Sequence, residues 1–174
     1  MLMAVFCLGA SLIGINAQEK DWANLQRYAQ QNAELPKPDK NEKRVVFMGN
    51  SITEGWVNTH PDFFKSNGYI GRGIGGQTSY QFLVRFREDV INLSPALVVI
   101  NAATNDIAEN TGAYHEDRTF GNIVSMVELA KANHIKVILT TTLPAAAFGW
   151  NPAIKDAPQK IASLNARLKA YAQT

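Results

Sequence analysis

Residues 44–56 read RVVFMGNSITEGW. Four apolar residues, Val45, Val46, Phe47 and Met48, run straight into Gly49-Asn50-Ser51, and no charge follows Arg44 until Glu54. A short apolar run closed by a turn signal predicts a buried strand. This one ends by presenting a glycine, an amide and a hydroxyl together.

The same beat recurs along the chain. Strands are expected at 44–48, 69–72, 96–102 and 135–142, and helical spacing fills the intervals. Phe82, Leu83, Phe86 and Val90 share one face of 79–92, and Leu93 just beyond continues it. Ile123, Met126, Val127 and Ala130 do so in 119–133, and Ile161, Leu164, Leu168 and Tyr171 in 157–171. "ALVVIN" and "KVILTTT" are continuous β-branched runs, as expected of strands buried on both faces. Strand–helix alternation of this kind predicts a parallel sheet between two helical layers. Ligands in such sheets bind beyond the carboxyl ends of the strands. Ser51, the glycines at 73–76 and Thr104-Asn105-Asp106 each follow a strand, so the three loops are expected on one edge.

Outside this region the composition is ordinary. The 174 residues are 46% hydrophobic and 18% charged, with a net charge of +2. That balance gives no case for a nucleic-acid partner or an anionic membrane surface. Residues 1–17 carry no charge, and 2–15 are nearly all apolar or small. The run is short of the roughly 20 residues a membrane span needs. It ends in Ile15-Asn16-Ala17 before the polar Gln18-Glu19-Lys20-Asp21, as a signal peptide does, although no basic residue precedes it. Residues 1–17 are therefore expected to direct export, periplasmic or extracellular, with no stable membrane anchoring of the mature form. The single cysteine, Cys7, lies in the middle of that run, whereas a lipid-anchor cysteine would lie at its end. Residues 18–43 are expected to form a short helix, stopped by Pro36 and Pro38, and a lead-in to the first strand.

Each loop has a plain reading beside the chemical one. Ser51-x-x-Glu54 has capping-box spacing, which makes Ser51 an expected helix N-cap as well as a candidate nucleophile. Gly71-Arg72-Gly73-Ile74-Gly75-Gly76 matches G-x-G-x-x-G, but it follows the second strand, and the third ends in Asn101 where a ribose-binding acid belongs. A tight turn with an exposed N–H is the alternative to a dinucleotide site. Asn105 reads as a turn residue, or as an amide aimed at a reacting carbonyl oxygen. His115-Glu116-Asp117 reads as the charged entry to a helix rather than a metal cluster, since adjacent residues do not converge on one ion.

Together the three blocks "GNSITEG", "GIGGQTS" and "ATND" resemble the SGNH, or GDSL-type, hydrolases, over residues 44–174. The resemblance implies a flavodoxin-like three-layer sandwich and an ester or thioester hydrolase working through an acyl-enzyme without metal or cofactor. It implies Ser51 as nucleophile, with the N–H groups of Ser51 and Gly76 and the amide of Asn105 as oxyanion donors. Asn50, Trp56 and Asp106 are the expected substrate contacts. Three departures stand out. Asn50 replaces the family's usual Asp, and Ala103 replaces a glycine, which is expected to narrow the site slightly. The third is the family's final Asp-x-x-His, the base and its orienter, which no histidine here matches: Val57, Gly112 and Lys131 stand three residues before His60, His115 and His134. Only four of five strands are counted, so a truncated form of low activity is expected, lacking roughly 30–40 residues. Trp56 and Phe148-Gly149-Trp150 offer aromatic walls, which makes an acylated carbohydrate the expected substrate, and a base-less acyl-glycan-binding module the alternative.

Overall fold

The computed structural model describes residues 21–174. The export segment at 1–17 lies outside the described residues. Strands β1 (Val45–Gly49), β2 (Tyr69–Gly73), β3 (Leu97–Asn101) and β4 (Lys136–Leu139) form one parallel sheet in the order β2-β1-β3-β4. The helices are α1 (Ala29–Glu34), α2 (Ser51–Thr59), α3 (Pro61–Ser66), α4 (Ser79–Asp89), α5 (Thr104–Ile107), α6 (Glu116–Ala132) and α7 (Ala157–Tyr171). This is the flavodoxin-like α/β arrangement, with four strands among the described residues. Of the lead-in expected at 18–43, residues 21–43 are described, and they enter the fold through a 3₁₀ turn, Leu25–Arg27, followed by α1.

The pleat sorts side chains between two helical layers. Val46, Met48, Val98 and Ile100 point to one face, where they meet Phe82 and Phe86 of α4, Ile123 and Met126 of α6, and Leu164 of α7. All but Ile123 and Ile100 of these are fully sealed from solvent, and each such side chain contributes about 1.5–3 kcal/mol. Phe47 points the other way, into α2 and α3. Its ring lies edge-on to Trp56 and Phe64 at 5.5 and 5.3 Å, and Trp56 stacks on Phe63 at 5.3 Å.

Two strand expectations need correction. β4 is not buried on both faces: Lys136 and Ile138 are exposed, while Val137 and Leu139 pack on the core. It is also shorter than the expected 135–142, because Thr142 leaves the sheet for a side-chain partner. The Asn165 amide of α7 accepts from Thr142 N–H at 2.8 Å and donates to Thr142 O at 2.9 Å, copying a strand's two bonds.

Candidate active site

The site grows from the end of β1. Ser51 opens α2 and is exposed, but it is not the cap. Asn50 is, its Oδ1 accepting from Ile52 N–H at 3.0 Å. The expected capping box at Ser51 and Glu54 does not form, because Glu54 turns outward. One carboxylate oxygen accepts from Gly75 N–H at 2.8 Å and the other from Arg27 at 3.1 Å. Ser51 is thereby left free at the first helical position, where its N–H has no intrahelical partner. Asn50, expected to touch substrate, is 1% exposed, with its Nδ2 unpartnered among the described residues.

The glycine block folds against this turn. Gly71 and Gly73 belong to β2 and let α2 lie on the strand. A Cβ on Gly73 would collide with Glu54 N and stand 2.7 Å from Asn50 O. Both obstacles are backbone. Gly73→Ala is expected to cost about 1–3 kcal/mol as α2 lifts, read as a lowered midpoint in thermal unfolding. Gly76 has φ +76°, which an L side chain resists. The site for a Cβ on Gly75 is 3.8 Å from Ser51 Cβ, so the 75–76 turn stands beside the hydroxyl. Neither Ser51 N–H nor Gly76 N–H has a protein acceptor among the described residues. The dinucleotide reading fails here: the start of α4, where a pyrophosphate would sit, is filled by Asp106, which accepts from Ser79 N–H at 2.9 Å.

The third loop closes the set. Asn105 is 3% exposed, and its Nδ2 donates to Gln77 O at 2.9 Å, tying α5 to the glycine turn and leaving a second amide hydrogen free. Asp106, expected to face substrate, is 4% exposed and spends its carboxylate on Ser79 and Thr119. Burial pushes its carboxyl up, and the Ser79 hydrogen bonds oppose that. Ala103 has φ +82° and is 2% exposed. Its methyl is therefore inside the protein and does not narrow the cleft; the departure from glycine acts on the backbone conformation. Trp56 is 41% exposed and gives its ring edges and one face to the α2–α3 aromatic cluster.

Sequence reasoning missed what holds these loops together. Arg85 of α4 is fully buried: Nη2 donates to Gly49 O at 3.0 Å, Nε to Gln77 Oε1 at 2.6 Å and Nη1 to Asp89 at 2.8 Å. Burial lowers its pKa and the Asp89 hydrogen bond opposes that. One guanidinium thus joins the end of β1 to the glycine turn. The lead-in segment grips the same turn, with Gln77 Nε2 donating to Ala23 O at 2.7 Å and Tyr28 OH to Gly73 O. The Arg85–Asp89 spacing of four was the available signal.

His60 and His134 stand apart from Ser51. His60 caps the far end of α2, about 13 Å along the helix axis, and bonds Thr59 Oγ1. His134 lies between α6 and β4, at the amino edge of the sheet. His115 precedes α6. Glu116 and Asp117 both pair with Arg167, at 3.1 and 2.8 Å. No histidine among the described residues hydrogen-bonds Ser51.

The carboxyl edge of the sheet thus carries an exposed hydroxyl, two N–H groups with no acceptor among the described residues, and a buried amide. Residues 47–174 match the family model of the GDSL-like lipase/acylhydrolase family, and the chain belongs to that family. It is 99% identical to a proposed acylhydrolase of Bacteroides fragilis NCTC 9343, whose crystal structure superposes with a TM-score of 0.88 over 89% of this chain and 74% of that one. A GDSL-like lipase of Bacteroides thetaiotaomicron VPI-5482 is 79% identical, with a TM-score of 0.86 over 87% of this chain and 74% of that one. An uncharacterized lipoprotein of Bacillus subtilis (strain 168) is 32% identical over 117 residues, 58% of this chain and 48% of the relative. The chain thus spans about half the length of that curated relative.

Proposed function

We propose that the chain is a serine carboxyl-ester hydrolase whose site is the junction of the first three strand ends. Ser51 Oγ attacks the acyl carbonyl. The developing oxyanion lies among Ser51 N–H, Gly76 N–H and the free amide hydrogen of Asn105, and the alcohol leaves to give an acyl-enzyme that water then cleaves. One observation carries the reading. An exposed serine, two backbone N–H groups with no acceptor among the described residues and an amide held by Gln77 O all follow strands at the carboxyl edge of the sheet, which supports this reading.

An acylated carbohydrate is the substrate class this reading takes, and exposed aromatic surface supports it. Trp150 is 61% exposed and is held to the cleft through Asn110, which accepts from Trp150 Nε1 at 3.0 Å and donates to Gly76 O at 3.0 Å. Export, periplasmic or extracellular, is part of the proposal. The apolar run at 2–15 and the relative named as a lipoprotein support it.

The test is to incubate the full chain with p-nitrophenyl acetate and to map the acetyl group by mass spectrometry of a digest. Acetyl on Ser51, and none in Ser51→Ala, is the expected result. Acetylation spread over lysines and indifferent to Ser51→Ala would overturn the assignment. The second reading, an acyl-glycan-binding module, is favoured by the lack of a histidine bonded to Ser51 among the described residues. Its signature is binding of an acetylated oligosaccharide with no adduct at Ser51.

A further inference from the structure

A cavity of about 250 Å³ is lined by Trp22, Tyr80, Thr111, His115 and Arg118 among others. We propose that it is a subsite for a sugar residue bearing a carboxylate, so that the substrate is an acidic glycan, a uronate-containing chain, acylated on a nearby residue. The inference rests on the reading of Ser51 as an ester-cleaving serine.

Position comes first. Thr78 Oγ1 lies 3.1 Å from Thr111 Oγ1, and Thr78 is two residues past Gly76, a span of at most about 7 Å. A chain whose ester sits at Gly76 N–H therefore reaches the cavity with an adjoining residue.

Shape and chemistry agree. Trp22 is 47% exposed, yet its backbone is fixed. Its carbonyl accepts from Gln81 Nε2 at 2.8 Å, and the carboxylate of the preceding Asp21 accepts from Leu25 and Gln26 N–H at 2.8 and 3.0 Å. A large aromatic face held in solvent is a stacking platform for a sugar ring. The Trp22 indole, the Tyr80 hydroxyl and the His115 ring make no hydrogen bond within the protein among the described residues, and so remain as donors or acceptors for hydroxyls.

Charge selects the acid. Glu116 and Asp117, beside Arg118 in sequence, are both turned to Arg167. Glu109, in the same loop region, lies 3.7 Å from Lys160. Arg118, which lines the cavity, pairs with no acid among the described residues. A guanidinium binds a carboxylate through two parallel N–H donors.

The test titrates the full chain carrying Ser51→Ala, which prevents turnover, with D-glucuronic acid and with its neutral methyl ester, by calorimetry. The acid is expected to bind about tenfold more tightly than the ester. Arg118→Gln should erase that difference, while Trp22→Ala weakens both ligands alike. Both side chains are solvent-facing, so circular dichroism should be unchanged. Equal binding of acid and ester, a difference that survives Arg118→Gln, or no binding of either overturns the proposal. The readout does not depend on catalysis. Loss of the Ser51 adduct with retained Arg118-dependent binding would sink the hydrolase reading alone, and the converse would sink the subsite alone.

Discussion

Arg85→Met is expected to destabilise the protein by about 3–5 kcal/mol, read from urea unfolding. The guanidinium is fully buried and donates to three partners, two of which belong to the site loops. Its removal leaves Asp89, 2% exposed, with Asn32 Nδ2 at 2.7 Å as its remaining side-chain donor. A buried carboxylate stripped of its cation carries most of the cost. Gly49 O and Gln77 Oε1 lose a charged donor as well, at about 1–3 kcal/mol for each acceptor left dry. The double variant Arg85→Met/Asp89→Leu separates these contributions. Removing both charges should restore the share owed to Asp89 but not the share owed to the two loops. A single variant within about 1 kcal/mol of the parent would show that the guanidinium is dispensable.

That network also marks where the sequence stops being legible. The strand runs were readable because a five-residue apolar segment closed by a turn has few alternatives. β1, β2 and β3 fall within two residues of expectation at either end, and Ser51, Gly76 and Asn105 do stand at one sheet edge. α7 matches its expected span, since a 3.6-residue apolar stripe of fifteen residues is unambiguous. The start of α2 was signalled by the Ser51-x-x-Glu54 spacing, but its cap and its extent were not, because SITEGWVNT holds few apolar residues and a glycine. It is held on the sheet by the aromatic rings of Trp56, Phe47 and Phe64, which is tertiary packing. Asp106 and Arg85 were misplaced or missed for one reason: charged residues read as solvent-facing unless a partner is seen, and their partners lie 27 and up to 36 residues away in sequence. Ala103 taught the reverse lesson. A glycine expected by resemblance pointed to a backbone need, the left-handed φ of +82°, and not to room in the cleft.

The remaining large effect concerns the oxyanion donors. Asn105→Ala is expected to slow Ser51-dependent ester cleavage by about 10²–10³-fold, the cost of one preorganised donor. Measuring it requires a rate large enough to lose. A serine hydroxyl without a base attacks slowly, and no histidine among the described residues is bonded to Ser51. Free imidazole supplies a base chemically. The full chain should cleave p-nitrophenyl acetate faster as imidazole rises, beyond the imidazole-catalysed rate in Ser51→Ala, which is the background to subtract. Only neutral imidazole accepts the proton, so the rescued rate should climb with pH through about 6.5–7 and then level. Within that rescued rate, Asn105→Ala should lose its two to three orders of magnitude. The same variant gives up the bond from Nδ2 to Gln77 O, worth about 1 kcal/mol, so it must be shown to be folded at the assay temperature. An Asn105→Ala protein that is folded and rescued as well as the parent would mean that the amide serves only to tie α5 to the glycine turn. The oxyanion would then have to be held by the N–H groups of Ser51 and Gly76 alone.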